Sequence, residues 1–159
     1  MADVSRLATQ KLFNQKRSGD PWIAVIFMFR SSTPAPHFFE MEFSGTLLIA
    51  EQEAFLHVLN RLSEEKEPFV VLTRSEGESP LSTENRKRMN LWFKENREFL
   101  GHMCLGTVRV QSGFMDDHYE GSNMQKGMPF PLYSRSTIEA GRSLALEILA
   151  RTPQEENSQ

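Results

Sequence analysis

The sequence predicts a single α/β domain: a mixed sheet of four to five strands, opened by an antiparallel hairpin, with helices packed mainly on one face. Three observations predict it. Trp22–Phe29 and Phe69–Thr73 are short apolar runs bounded by turn signals, the pattern of strands buried on both faces. His37–Ser44 alternates Phe39, Met41 and Phe43 with Glu40 and Glu42, the period-2 pattern of a half-exposed strand. Between these runs Phe55, Val58, Leu59 and Leu62 fall at helical spacing and form one apolar stripe. At 159 residues one domain is the default.

Taken in order, Val4–Lys16 predicts a short helix that the Ser18–Pro21 turn stops, so residues 1–20 form an N-terminal helix or arm. The domain proper runs over 21–151. Trp22–Phe29 is its first strand, Arg30–Pro36 a proline-bearing loop, and His37–Ser44 the second strand. A connection that short makes the two an antiparallel hairpin. A helix follows over Ala50–Glu65, with Glu51, Glu53, Glu64 and Glu65 on an acidic outer face. Phe69–Thr73 is the central strand, and Arg74–Leu81 a polar loop holding Gly77 and Pro80. Ser82 can cap the next helix by accepting a free backbone N–H, and Glu84 suits its positive end. That helix runs to Phe99 with Met89, Trp92, Phe93, Asn96 and Phe99 inward, and Gly101 ends it. Met103–Val110 alternates Cys104, Gly106, Val108 and Val110 against Leu105, Thr107 and Arg109, so it reads as a strand. Gln111–Met128 is a long polar loop, and Pro129–Ser134 a short edge strand where prolines are tolerated. Thr137–Arg151 closes the domain as a helix with Ile138, Ala145, Ile148 and Leu149 inward, and 152–159 is a disordered tail.

Composition narrows the function classes. A net charge of −3 argues against a chain built to grip nucleic acid, which is normally basic. The lone Cys104 excludes an internal disulfide and a cysteine-rich zinc site, in keeping with a cytoplasmic location. No apolar run reaches the ~20 residues needed to span a bilayer. There is no G-x-S-x-G, no phosphate-binding P-loop and no dinucleotide glycine fingerprint.

The stretches EFSGTLLIAEQEAFLHVLNRLSEE, PFVVLTR, SPLSTENRKRMNLWFKENREFL and MCLGTVRV, over residues 42–110, resemble in order and spacing the STAS fold of SpoIIAA-like anti-sigma-factor antagonists. The resemblance implies a small, non-enzymatic bacterial regulatory module that binds a protein partner, often a kinase. It also implies a switch by phosphorylation at the start of the helix after the central strand. There the family carries an Asp-Ser-Ser-Gly type loop, and this chain has Ser75, Ser79, Ser82 and Thr83 instead.

Two functions are expected from different classes. The first is a regulatory, protein-interaction module whose contact residues are Arg74, Arg86, Lys87 and Arg88, with Ser75, Ser79, Ser82 and Thr83 as phosphorylation candidates and a homodimer compatible with it. The second is a small-ligand-binding or enzymatic domain with a pocket between the corner at residues 74–88 and the 112–128 loop. No catalytic, cofactor or metal residue is assigned. Asp116, Asp117, His118 and Glu120 are the nearest to a metal cluster, but consecutive residues converge poorly on one ion. His102 and Cys104, two apart on the expected strand, could pair as imidazole and thiol, although a buried cysteine is more often a small hydrophobe.

Overall fold

Strands β1 (Met28–Ala35), β2 (Phe38–Ser44), β3 (Phe69–Glu76), β4 (Cys104–Val110), β5 (Asp117–His118) and β6 (Leu132–Arg135) make one mixed sheet in the order β1-β2-β3-β4-β6-β5. They belong to a computed structural model that describes residues 28–45, 47–76, 81–111, 117–118 and 126–157. The outer pairs β1–β2 and β5–β6 are antiparallel, and the three inner pairings are parallel. The described helices are α1 (Ile49–Leu62), α2 (Thr83–Glu95), α3 (Arg97–Met103) and α4 (Ile138–Asn157). The expected class holds: an α/β domain with an N-terminal antiparallel hairpin and, of these four helices, three on one face.

The hairpin differs from expectation in where it lies. Arg30–Ala35, expected as loop, is strand, and the turn shrinks to Pro36–His37 between Ala35 and its partner Phe38. His37 turns the chain with φ 65°, a left-handed conformation unusual outside glycine. Pro34 is tolerated because β1 pairs on one side, with β2, and its register slips between Ser32 and Ala35. The expected strand at 22–27 and the arm at 1–20 lie outside the described residues.

β3 is the spine of the sheet. Phe69 and Val71 enter the core beneath α1–α3, while Val70 and Leu72 enter a second core under α4. All four are buried, as the unbroken apolar run requires for a strand covered on both faces. The strand runs three residues further than expected, to Glu76, because β2 supplies partners through Ser44. β4 has a bulge: Phe69 faces Cys104 but Val70 faces Gly106. The extra residue breaks the alternation, so Cys104 joins the α1–α3 core while Val108 and Val110 join the α4 core.

Three further boundaries move. The helix expected to reach Phe99 breaks at Asn96, whose φ of −108° leaves the helical region, and Gly101 lies inside α3 instead of ending a helix. Asn96 steadies the break by donating its side-chain amide to the Trp92 carbonyl at 2.9 Å. β6 is an interior strand, because β5 pairs along its far side. The C-terminal helix continues through Pro153 to Asn157, over residues expected as tail; Gln154, Glu155 and Glu156 are good helix formers.

Polar ties join the layers. Gln52, buried on α1, donates to the Leu47 carbonyl and accepts from the Ser82 backbone N–H at 3.0 Å and the Asn85 amide at 2.8 Å. Ser82 is the N-cap of α2, its Oγ accepting the Asn85 N–H at 3.2 Å. Replacing Ser82 with alanine is expected to cost about 1 kcal/mol in chemical denaturation, and threonine should restore most of it. On the other face, Arg142 of α4 grips the buried Glu40 carboxylate of β2 through Nε and Nη2.

Candidate functional site

The C-terminal halves of two adjacent parallel strands set up the candidate site. On β3 the side chains at 69, 71, 73 and 75 face α1–α3, since alternate residues share a face. On β4, beyond the bulge, Thr107 and Arg109 take the same face, with Thr107 beside Val71 and Arg109 beside Thr73. Phe55 and Leu59 of α1, Met89 and Trp92 of α2 and Leu100 of α3 stand off this floor. They leave a cavity of about 350 Å³ between helices and sheet.

Its polarity is graded. Toward the strand N-termini the lining is Phe69, Cys104, Leu100, Phe130 and Leu132. Toward the C-terminal ends it gains Thr73, Ser75, Thr107 and Arg109. In α/β sheets, ligands are received at that end of the strands. Arg109 is the one charged residue among the described lining residues. The Trp92 indole belongs to the wall, and its N–H is buried with no acceptor among the described residues. A buried donor normally finds a partner.

The expected contact cluster does not assemble. Arg74 lies on the α4 side of β3, the face of Val70 and Leu72, opposite the side covered by α2. Arg88 donates to Glu53 of α1 and to Asn85, so the basic helix and the acidic helix partly neutralise each other. Arg86 and Lys87 are exposed on α2. Of the hydroxyl candidates, Ser75 lines the cavity, Ser82 serves as a cap, Thr83 opens α2 exposed to solvent, and Ser79 lies outside the described residues.

The thiol–imidazole pair fails on geometry. His102 belongs to α3 and is exposed, whereas Cys104 is buried at the head of β4. Burial pushes the Cys104 thiol up to about 12, against the opposing contacts with the Gly106 carbonyl and Thr107 hydroxyl. It is protonated at neutral pH and is not a nucleophile there. Iodoacetamide at pH 7.5 should leave native protein unmodified by mass spectrometry and label it fully after denaturation; rapid native labelling would contradict this burial. Asp117 and His118 form β5, while Asp116 and Glu120 lie outside the described residues. Among the described residues no group of three His, Cys, Asp or Glu is placed to hold a metal, and no helix is long and apolar enough to cross a membrane.

Sequence reading did not single out Thr73, Trp92, Thr107 and Arg109 as a group. Their one signal was polar side chains recurring on the inward phase of Phe69–Ser75 and Met103–Val110. Reading it needs the pairing of β3 with β4 and the bulge at Leu105.

A mixed α/β domain with a largely apolar cavity between its sheet and α1–α3, polar toward the C-terminal ends of the parallel strands, is the class that fold and site define. Comparison with protein-family models, curated proteins and solved structures finds no match for the chain.

Proposed function

We propose that this chain is a non-enzymatic binding module that holds a small, largely apolar molecule between its sheet and α1–α3. The observation that carries the reading is the cavity. Its 350 Å³ falls in the range of small-molecule sites (~300–1,000 Å³), with apolar walls and a few convergent polar groups at one end. The lining chemistry supports binding over catalysis: hydroxyls, a guanidinium and a thiol held protonated, with no carboxylate or imidazole among the described lining residues to act as a general base.

A neutral apolar dye, Nile red, tests it. Native protein should enhance its emission saturably, and Val71→Phe, which adds a ring to the cavity floor, should weaken that at least tenfold while still melting cooperatively. Equal dye binding by folded Val71→Phe, or none by the native chain, defeats the proposal.

A second reading, a STAS-like regulatory module that binds a protein partner through α2, rests on the exposure of Arg86 and Lys87 beside the buried wall of the same helix. Under it, a partner recovered stoichiometrically with native protein should be lost from the double variant R86E/K87E. Unchanged recovery sinks that reading and leaves the cavity reading intact.

A further inference from the structure

We propose that the cavity selects uncharged carbonyl compounds with an apolar body, ketones or esters, whose oxygen accepts the Trp92 indole N–H. This assignment rests on the binding reading above and adds the polar group of the guest.

Trp92 is the exception in its wall. The other described side chains that α1, α2 and α3 bring to the lining are Phe55, Leu59, Leu62, Met89, Phe93 and Leu100, all of them apolar. The indole N–H is therefore the one hydrogen-bond donor among the described side chains on the helix side of the cavity. Trp92 is more than nine-tenths buried, and its Nε1 has no acceptor among the described residues. A buried donor left unpaired costs free energy, and folded proteins supply such groups with a partner. Phe93 packs edge-on against the indole, with ring centroids 5.2 Å apart, and offers no lone pair. A buried water needs about two to four polar partners, and the described side chains of this wall supply the indole alone.

The chemistry of the missing partner follows from what an indole can do. It only donates, so the guest must accept. A carbonyl oxygen accepts and brings no proton that needs a partner of its own. A hydroxyl also accepts, but its own proton then needs an acceptor, and the helix-side lining holds no oxygen-bearing side chain among the described residues. The hydroxyls of Thr73, Ser75 and Thr107 lie across the cavity on the sheet floor. An ammonium has no lone pair to offer the indole. A carboxylate accepts, but burying its charge demands a counter-charge or several donors. Arg109 already has an interaction within the fold, so its charge and donors are not counted toward a guest. One neutral acceptor on an apolar body is what one unpaired donor in an apolar wall matches.

The test uses the full chain and four related probes: propiophenone, the alcohol formed by its reduction, propylbenzene and hydrocinnamate. Each competes with Nile red for the native protein and for Trp92→Phe. Native protein should bind propiophenone severalfold tighter than the alcohol and at least tenfold tighter than hydrocinnamate. Because propylbenzene is the more hydrophobic molecule, its raw affinity is no measure of the hydrogen bond, and the change between proteins is. Trp92→Phe should weaken propiophenone at least fivefold relative to propylbenzene. The direct readout is the indole N–H resonance of nitrogen-15-labelled native protein. The chain has two tryptophans, and the resonance that Trp92→Phe lacks, or that Trp22→Phe keeps, is that of Trp92. Propiophenone should move it downfield, the direction of a new hydrogen bond, and propylbenzene should not. If Trp92→Phe fails to melt cooperatively, the resonance assigned through Trp22→Phe carries the test. An indole N–H unmoved by propiophenone, equal weakening of both probes, or an alcohol or hydrocinnamate that binds as tightly as the ketone overturns the carbonyl assignment. Each of these leaves the binding reading standing, since the cavity still takes an apolar guest. No displacement by any probe, together with no Nile red response, removes both.

Discussion

Replacing Glu51 with alanine is expected to lower the unfolding free energy by about 3 kcal/mol, measured by urea denaturation. Glu51 opens α1 and is fully buried. One carboxylate oxygen accepts the Phe29 backbone N–H at 2.9 Å, and the other accepts the Leu48 N–H. The carboxylate thus supplies an acceptor that a neighbouring strand would otherwise provide, and half of a capping box. Leu48, the N-cap, has no side-chain acceptor to supply the other half. Alanine leaves both donors without it, and a buried unsatisfied donor costs about 1–3 kcal/mol.

Glutamine serves as the control and reveals a pH dependence. Burial raises the Glu51 carboxyl above its usual 4.5, with the two backbone N–H groups opposing the shift. A carboxyl whose native pKa lies above its unfolded one contributes stability that is fully present below about 4.5. That contribution is lost as pH rises through the native value. The stability of wild type relative to Glu51→Gln should therefore increase as pH falls from 7 toward 4.5. A difference that is flat or of opposite slope would show that burial does not control this carboxyl.

Gly141→Ala should destabilise the domain by about 1–2 kcal/mol, although alanine is normally the better helix residue by about 1 kcal/mol. α4 lies so close to the sheet at Gly141 that a Cβ would come within 2.5 Å of Val110 Cγ2 and 3.1 Å of Leu72 Cδ1. Val110 and Leu72 are buried strand residues with no room to retreat, and such overpacking typically costs 1–3 kcal/mol. Val110→Ala removes the nearer obstacle. Alone it destabilises by leaving a gap; combined with Gly141→Ala it should cost clearly less than the two single changes added together. Additive single effects in a thermal-melt cycle would mean that α4 packs elsewhere.

Glu51 also marks where local reading runs out. Sequence pattern places it with Glu53, Glu64 and Glu65 on an acidic outer face, and Glu53 is indeed exposed there. A period of 3.6 assigns faces by residue type, and it has no term for a carboxylate drawn inward to a backbone N–H 22 residues away. The strand at Arg30–Ala35 was hidden for a related reason. Its serines, Thr33 and Pro34 carry no apolar period, and it is a strand because β2 pairs with it. The candidate site was harder still. Thr73, Thr107 and Arg109 are unremarkable in isolation and become a polar end through the β3–β4 register. The basic run at Arg86–Arg88 was plain in the sequence, while the partner that takes up Arg88 lies on another helix.

What the sequence determined alone is what local periodicity and capping determine. It carried the α/β class, the doubly buried strand Phe69–Thr73, the apolar stripe of α1, the cap at Ser82 and, of the inward set, Met89, Trp92 and Phe93 on α2. Those features follow from residues a few positions apart, whose preferences are short-ranged. Tertiary structure decided the rest: the extension of β3 to Glu76, the bulge that turns Cys104 from its neighbours, the burial of Glu51, and the grading of the cavity from Phe69 to Arg109. Each depends on a pairing between distant segments. A strand's partners and register set which of its side chains share a space, and one residue of slip reverses the answer.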